Sequence, residues 1–403
     1  MPLPDGVDAI WPFPPNWVRP VAERREYQTD ILGSRDRTEQ RRALRGKPRA
    51  ALEYRVTVDR DQARRLDRML WSLQPYTLLV PLWPRGCRLS ADAALAATVL
   101  VLDRPFPGDT RVGDPLIIAP GDDTPEAATL AGISADRQTL TLADPLDLSW
   151  SAGARVYPAW PCVMPSDIRG RRRTAQVLEL PLRFERLVDT RPAGAAYGAP
   201  DLEVGGVEVL LREVNWAGGL DATYDWPATL VDSGIGPQFR EVLGRFAPHT
   251  LAGEVVCEGR AAVDWWQGFF DRHKGRLGQF LVPTRIDPLP LVAPTLGGID
   301  FELADGDVGR YLPPPEVFTH LLVRKQDGSR ALYEIDTITA DLGADVTRIT
   351  TLDPWDEAYG PEEALGTQFV MTARLASDAL EITWLTDGVA TFTLALAAAE
   401  RIA

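Results

Sequence analysis

The sequence predicts a mainly β protein made of two tandem duplicated units, each a β-sandwich with one helix and an inserted small β-barrel. Three observations predict it. Short landmarks recur in the same order along the two halves of the 403-residue chain. Each half holds a single segment with strong helical spacing. The rest is short apolar or alternating runs separated by Gly, Asp and Pro every few residues.

The landmarks come first. Asn16-Trp17 recurs as Asn215-Trp216, and Ala51 and Glu53 recur as Ala252 and Glu254. Leu79-Val80-Pro81 recurs as Leu281-Val282-Pro283, and Ile133, Ala135 and Asp136 as Ile338, Ala340 and Asp341. Asp144-Pro145 recurs as Asp353-Pro354, and Ser166-Asp167 as Ser377-Asp378. The separation grows steadily from 199 to 211 residues. Chance matches would scatter, whereas a duplication with loop insertions drifts in one direction. The first repeat is then 11–188 and the second 210–403. Residues 1–50 form an N-terminal arm and basic helix, with 11–50 also opening the first repeat. Residues 189–209 form the linker; its Gly, Ala and Pro content predicts a surface course.

Each repeat is read in the same order. Asp61 to Leu73 carries Ala63, Leu66, Met69, Leu70 and Leu73 on one helical stripe. Ala261 to His273 carries Val263, Trp266, Phe269 and Phe270 at the same period, a face suited to packing on a sheet. A strand ending at proline follows in each, within TLLVPLWP (77–84) and QFLVPTRID (279–287). The β insertions then span about 85–165 and about 288–376. Their strands include ATVLVL (97–102), DPLIIAP (114–120), TLTLADP (139–145) and ARVYPAW (154–160), with HLLVRK (320–325), ALYEIDTI (331–338), VTRITTLDP (346–354) and QFVMTARL (368–375) as counterparts. Alternating strands, VLELPLRFERL (177–187) and ATFTLALAAAERI (390–402), close the repeats with one buried and one wet face.

Composition bounds the function. The net charge is −14, a poor match to a nucleic-acid surface, so no specific nucleic-acid partner is expected. Cys87, Cys162 and Cys257 are widely spaced, without a CxxC or Cys/His pair; buried or half-buried thiols made in a reducing cytoplasm are expected. The start, MPLPDGVDAIWPFPPNW, lacks the basic-then-apolar order of a signal peptide, and no run of 18 apolar residues predicts a membrane span. The three histidines, His249, His273 and His320, lie in separate segments, and HExxH, GxSxG, GxxxxGK[ST] and GxGxxG are absent. Glu302, Asp305 and Asp307 crowd one acidic turn without EF-hand order. No catalytic, cofactor-binding or metal residue is therefore expected, and the chain is not expected to be an enzyme.

The N-terminal segment is the exception to the acidic balance. Residues 23–49 hold nine Lys/Arg against five Asp/Glu. Asp36 and Glu39 resemble a capping box opening a helix from Arg37 to Arg45. Ahead of it, Trp11, Phe13 and Trp17 form an apolar, Pro-rich arm. An apolar arm and a basic helix could dock on an acidic neighbour, which makes Trp11, Phe13, Trp17, Arg41, Arg42 and Arg45 candidate inter-subunit contacts; the arm could equally fold back on its own domain. The run from Arg169 to Arg173 is a solvated loop or a second contact to an acidic subunit.

The stretch EYQTDILGSRDRTEQRRALRGKPR (26–49) resembles structural proteins from the tail modules of long-tailed phages. The resemblance is carried by Tyr27, Thr29, Asp30, Ile31, Ser34, Glu39, Arg41, Arg42, Arg45, Pro48 and Arg49. WWQGFFDRHKGRLGQFLVPTRID (265–287) is similar to tail-tip proteins in which a WxxxFF helix precedes Gly and an FxxP strand. Together they cover about 50 of 403 residues. The resemblance implies a distal tail or baseplate hub protein: a β-sandwich with a helix, sometimes with an added small β-domain, forming rings at the end of the tail tube. It further implies a virion location and contacts to tail tube, tip hub or fibre proteins. Family members supply one unit per chain to a six-membered ring. Two units per chain depart from that pattern and allow either a trimer with pseudo-sixfold symmetry or a hexamer. A receptor- or carbohydrate-binding tail protein is the alternative, with Trp83, Trp150 and Trp160 exposed together. A cell-wall hydrolase is a third reading and needs paired carboxylates in a cleft.

Overall fold

The computed structural model describes residues 3–34, 39–72, 76–119, 124–165, 168–187, 197–224, 228–242, 249–285, 290–292, 298–311, 318–355 and 364–399. The chain is mainly β, with large antiparallel sheets and short helices.

The first half supplies β1 (Val21–Glu26), β2 (Thr29–Gly33), β3 (Glu39–Ala43), β4 (Arg49–Asp59), α1 (Arg60–Ser72), β5 (Leu78–Pro81), β6 (Arg155–Val163), β7 (Arg171–Thr174) and β8 (Val177–Arg186). The second half supplies β9 (Leu220–Tyr224), β10 (Ala228–Val231), β11 (Phe239–Val242), β12 (His249–Glu258), α2 (Arg260–His273), β13 (Phe280–Pro283), β14 (Ala364–Leu375), β15 (Ala379–Trp384) and β16 (Val389–Ala398).

The same pairings occur in each half. β4 pairs with β8 along its length, as β12 does with β16. β1 lies beside β4, and β9 beside β12. β7 lies beside β8, and β15 beside β16. β5 pairs with β6, and β13 with β14. Each half also carries a short hairpin, β2–β3 and β10–β11. The detail extends to loops. Asn16 N–H bonds the Arg55 carbonyl and its side-chain oxygen accepts Val18 N–H; Asn215 does the same with Glu254 and Ala217.

One antiparallel sheet runs through both halves in the order β7–β8–β4–β1–β15–β16–β12–β9. The join is β1 against β15, in register from Val21 opposite Trp384 to Glu26 opposite Ala379. Alternation explains the buried faces. Leu178, Leu180, Leu182 and Phe184 of β8 point inward against Leu52, Tyr54, Val56 and Val58 of β4. Ala390, Phe392, Leu394 and Leu396 do the same in β16. Each such Leu or Phe contributes about 1.5–3 kcal/mol by leaving water. A single apolar core continues from Trp11 and Phe184 through Trp266 and Phe269 to Leu396.

Both predicted helices follow the expected spacing; a further short helix, Gly306–Tyr311, lies in the second insertion, so that unit holds more than the one helix expected. α2 is the more deeply buried, with Val263, Trp265, Trp266, Phe269 and Phe270 all covered, whereas only Ala63 and Leu66 are fully buried in α1.

The insertions form sheets, not barrels. In the first, Val99–Val101, Thr139–Leu142, Glu126–Ile133, Pro115–Ala119 and β6 lie side by side in that order over their own small core. On its other side β6 pairs with Cys87–Arg88, and the next residue, Leu89, makes an isolated bridge to Leu102 just past the first strand, so the sheet curls without closing into a barrel. The second has the matching order, Asp300–Ala304, Val346–Thr351, Arg330–Asp341, Phe318–Lys325 and β14. It stays open.

Two further expectations are corrected. Residues 39–43 are strand β3, not part of a helix from Arg37 to Arg45. Glu39 and Arg41 sit two positions apart and both reach the second unit, which period-two geometry permits and a helical turn of about 100° per residue does not. Asp36 and Arg37 lie outside the described residues. The linker 189–209 is not simply a surface run. Its described part, from Tyr197, packs on α2: Trp265 Nε1 donates to the Ala199 carbonyl at 2.9 Å, and Arg272 pairs with Glu208 at 2.6 Å. Gly268 makes this approach feasible, since a Cβ there would meet the Tyr197 carbonyl oxygen at 2.2 Å.

Candidate functional site

The most unusual chemistry lies where the two units join. β1 reads VAERRE and alternates, so Val21, Glu23 and Arg25 all face inward. An edge that would be apolar in an ordinary strand therefore carries two charges into the core. Glu23 is 1% exposed. Arg85, from the short 3₁₀ turn Trp83–Arg85, is also buried and donates to Glu23 through Nε at 3.1 Å and Nη2 at 2.8 Å. Gln267 of α2 adds its amide at 3.0 Å, and Trp384 of β15 its indole N–H at 3.4 Å. Arg85 also donates to Asp109 at 2.8 Å and to the Gln267 side-chain oxygen.

Arg25 extends the network. It donates to Asp271 at 3.1 Å, to the Tyr197 hydroxyl at 3.0 Å and to Asp109. Tyr197 and Tyr27 both donate to Asp271, at 2.6 and 3.1 Å. Six segments thus meet: β1, the turn after β5, the first insertion, the linker, α2 and β15. Burying charges this deeply is costly unless each is paired and hydrogen-bonded, and here the pairing spans both units.

Proton affinities follow from that geometry. Burial pushes the Asp109 carboxyl up, but Arg85 and Arg25 more than compensate and hold it well below the usual carboxylate range. Asp264 is pushed up to about 6, mainly by burial, with Arg85 opposing and Asp109 adding to the rise. It accepts the Gly108 N–H at 3.1 Å. The groups of this network come from both units, which makes it a joint.

A second contact flanks it. Hairpin β2–β3 lies on the second unit. Glu39 takes a two-pronged bond from Arg374 at 2.7 and 2.8 Å, and Arg41 donates to the Leu277 carbonyl at 3.1 Å. Asp378 accepts from Thr29 N–H at 2.8 Å, Thr29 Oγ1 at 2.9 Å and Arg276 N–H at 2.9 Å. The Arg374 bond is the main influence lowering the Glu39 proton affinity. Its stabilisation is therefore present above the ordinary carboxylate range and lost as pH falls. Glu39→Gln should cost about 1 kcal/mol at pH 7, read from urea unfolding. No difference from the parent chain would deny the pair a role.

The candidate contact residues divide. Trp11 and Phe13 are buried in the first unit, with ring centroids 5.2 Å apart, and Trp11 is also 5.2 Å from Phe184. The arm is folded back on its own domain there. Trp17 is half-buried against the same core. Arg41 makes its contact within the chain, across the two units. Arg45 lies 4.0 Å from Glu26, and Arg42 is exposed. The inward-facing Glu23 and Arg25, and Arg85, Asp109, Asp264 and Asp271, were not singled out from sequence. The one available signal was a pair of charges at alternating, inward positions of a strand.

Trp150 and Trp160 are buried and Trp83 half-buried, so they form no shared exposed patch. A shallow groove lined by Leu211, Glu213, Trp216, Arg285, Arg324 and Arg330 presents one open indole beside three arginines. Among the described residues no group of three or more His, Cys, Asp or Glu could hold a metal, and no helix is long and apolar enough to cross a membrane. The three cysteines are buried free thiols. No protein-family model matches the chain, and a search of the curated proteins returns no match.

Proposed function

We propose that this chain is a structural protein of a phage tail or related tail-like particle, forming a ring or hub at the distal end where tube meets tip, baseplate or fibre proteins. The observation that carries the reading is the joint itself. One unit's edge strand and hairpin are seated on the next unit through strand pairing, a buried ionic network and a flanking salt link. That is the relation between neighbours around a ring, here made once inside the chain between two units with the same pairing order. Internal duplication accounts for that order. The segment that resembles tail proteins, 26–49, includes the hairpin at the joint. Under this reading the protein is made in the host bacterium and resides in the virion.

The carbohydrate-binding alternative is weaker, because two of its three tryptophans are inside the protein. Electron microscopy of the assembled particle, with this chain located by an inserted tag, tests the proposal. Density at the distal end of the tail tube is expected; a location elsewhere in the particle would overturn it.

A further inference from the structure

We infer that the two ends of the continuous sheet, β7 and β9, are complementary edges that join successive copies of this chain head to tail. The inference deepens the ring reading, on which it rests for the closed form of the assembly, but the edge contact is argued from the pairings alone.

The sheet order is β7–β8–β4–β1, then β15–β16–β12–β9. By the pairing correspondence, β7 occupies the place of β15, and β9 the place of β1. Inside the chain, β1 is joined to β15. The same joint, applied once more, brings β9 of one copy against β7 of the next. Among the described residues β7 pairs with β8 alone and β9 with β12 alone. An open antiparallel edge presents main-chain donors and acceptors ready for another strand. A contact between two different patches is heterologous, and it closes into a ring when its rotation divides the circle.

Side chains support the assignment at each end. The matching loop bonds of Asn16 to Arg55 and Asn215 to Glu254 fix the register, which places Tyr224 where Arg25 stands in the first unit. Arg25 is 5% exposed because it faces inward and its guanidinium reaches Asp271 of α2 at 3.1 Å. Tyr224 is 63% exposed. The surface it would meet is on α1. Matching the stripes Ala63, Leu66, Leu70 and Val263, Trp266, Phe270 sets Leu70 in the place of Phe270 and Trp71 in that of Asp271. Trp71 is 92% exposed, a large apolar ring at the position that, on α2, Arg25 and Tyr27 of the first unit cover. Hairpin β10–β11, the counterpart of the docked β2–β3, carries Leu230, Val231, Ile235 and Phe239 at the surface.

Charge gives direction. At the internal joint Ala22 of β1 lies opposite Thr383 of β15. By the same register Asp221 of β9 takes the place of Ala22, and Arg171 of β7 that of Thr383. An uncharged pair inside the chain thus becomes an opposite-charge pair between copies, which favours β9 against β7.

The test is the mass of the purified chain in solution at micromolar concentration, by light scattering after size exclusion. Assembly of the wild-type chain is expected, with Trp71→Asp and Tyr224→Asp each reducing association at least about tenfold. Both side chains are exposed, so unchanged circular dichroism and melting confirm that the variants are folded. Each variant blocks one edge only, so an equimolar mixture of the two should form one-to-one dimers through the intact pair of edges. A monomeric wild type, assemblies indifferent to both substitutions, or a mixture that stays monomeric would overturn the inference. The number of copies per assembly, and its place in the particle, test the ring and tail readings separately.

Discussion

Glu23→Ala should cost about 3–5 kcal/mol of folding stability, the range expected when one member of a buried ionic network is removed and its partners remain. Glu23 accepts from both nitrogens of the Arg85 fork it faces, from Gln267 and from Trp384. Without it, Arg85 keeps Asp109 as its charged partner, while Gln267 and Trp384 lose an acceptor. Glu23→Gln separates charge from shape. Glutamine fits the space but turns an N–H toward guanidinium donors, so it should recover less than half of the loss. Because Glu23 ties β1 to α2 and β15, the loss is also one of attachment between units. Urea unfolding followed by tryptophan fluorescence reads the cost. An unchanged midpoint in Glu23→Ala would show that the network is dispensable. A fully recovered midpoint in Glu23→Gln would show that its charge is.

How much of this was legible in sequence depends on the range of the interaction. α1 and α2 were visible because local apolar spacing is the same thing as their buried face. β8 and β16 were visible because Leu178, Leu180, Leu182 and Phe184, and their counterparts, alternate. β3 was misread because Glu39, Arg41, Arg42 and Arg45 suit a solvated helix as well as an edge hairpin. Only the distant partners Arg374 and Leu277 decide between them. β1 escaped notice for a related reason. Its inward positions hold Glu23 and Arg25, so it lacks the apolar alternation of a core strand, and the residues that make the charges tolerable lie 62 to 361 positions away. The joint was thus invisible as a site, although the order of landmarks implied that two like units existed to be joined. The curled first insertion was read correctly as short strands, but its closure depends on whether Leu89 and Leu102 meet through a full ladder or a single bridge, which no local pattern encodes.

Asp264→Asn should stabilise the protein at pH 8 and leave it little changed at acid pH. The network already sets Glu23, Asp109 and Asp271 against Arg25 and Arg85, so a further negative charge at Asp264 gains little attraction and bears the cost of burial. Its carboxyl is accordingly raised from 3.8 to about 6. Below the ordinary carboxylate range the folded and unfolded chains both hold this proton. Between about pH 4 and 6 the folded chain keeps a proton that the unfolded chain has released, and stability falls as pH rises. Above about 6 the full penalty is in place, on the order of 3 kcal/mol for a rise of this size. Asparagine carries no such charge, and its side-chain oxygen can still accept the Gly108 N–H. Asp109 acts in the opposite sense: its depressed proton affinity contributes stability above the ordinary carboxylate range that is lost as pH falls. The variant leaves that acid limb in place. The expected result is a stability difference between variant and parent that is small near pH 4, grows through pH 5 and 6, and levels at about 2–3 kcal/mol by pH 8. Urea unfolding across that range measures it. A difference that does not change with pH would mean that Asp264 keeps an ordinary proton affinity.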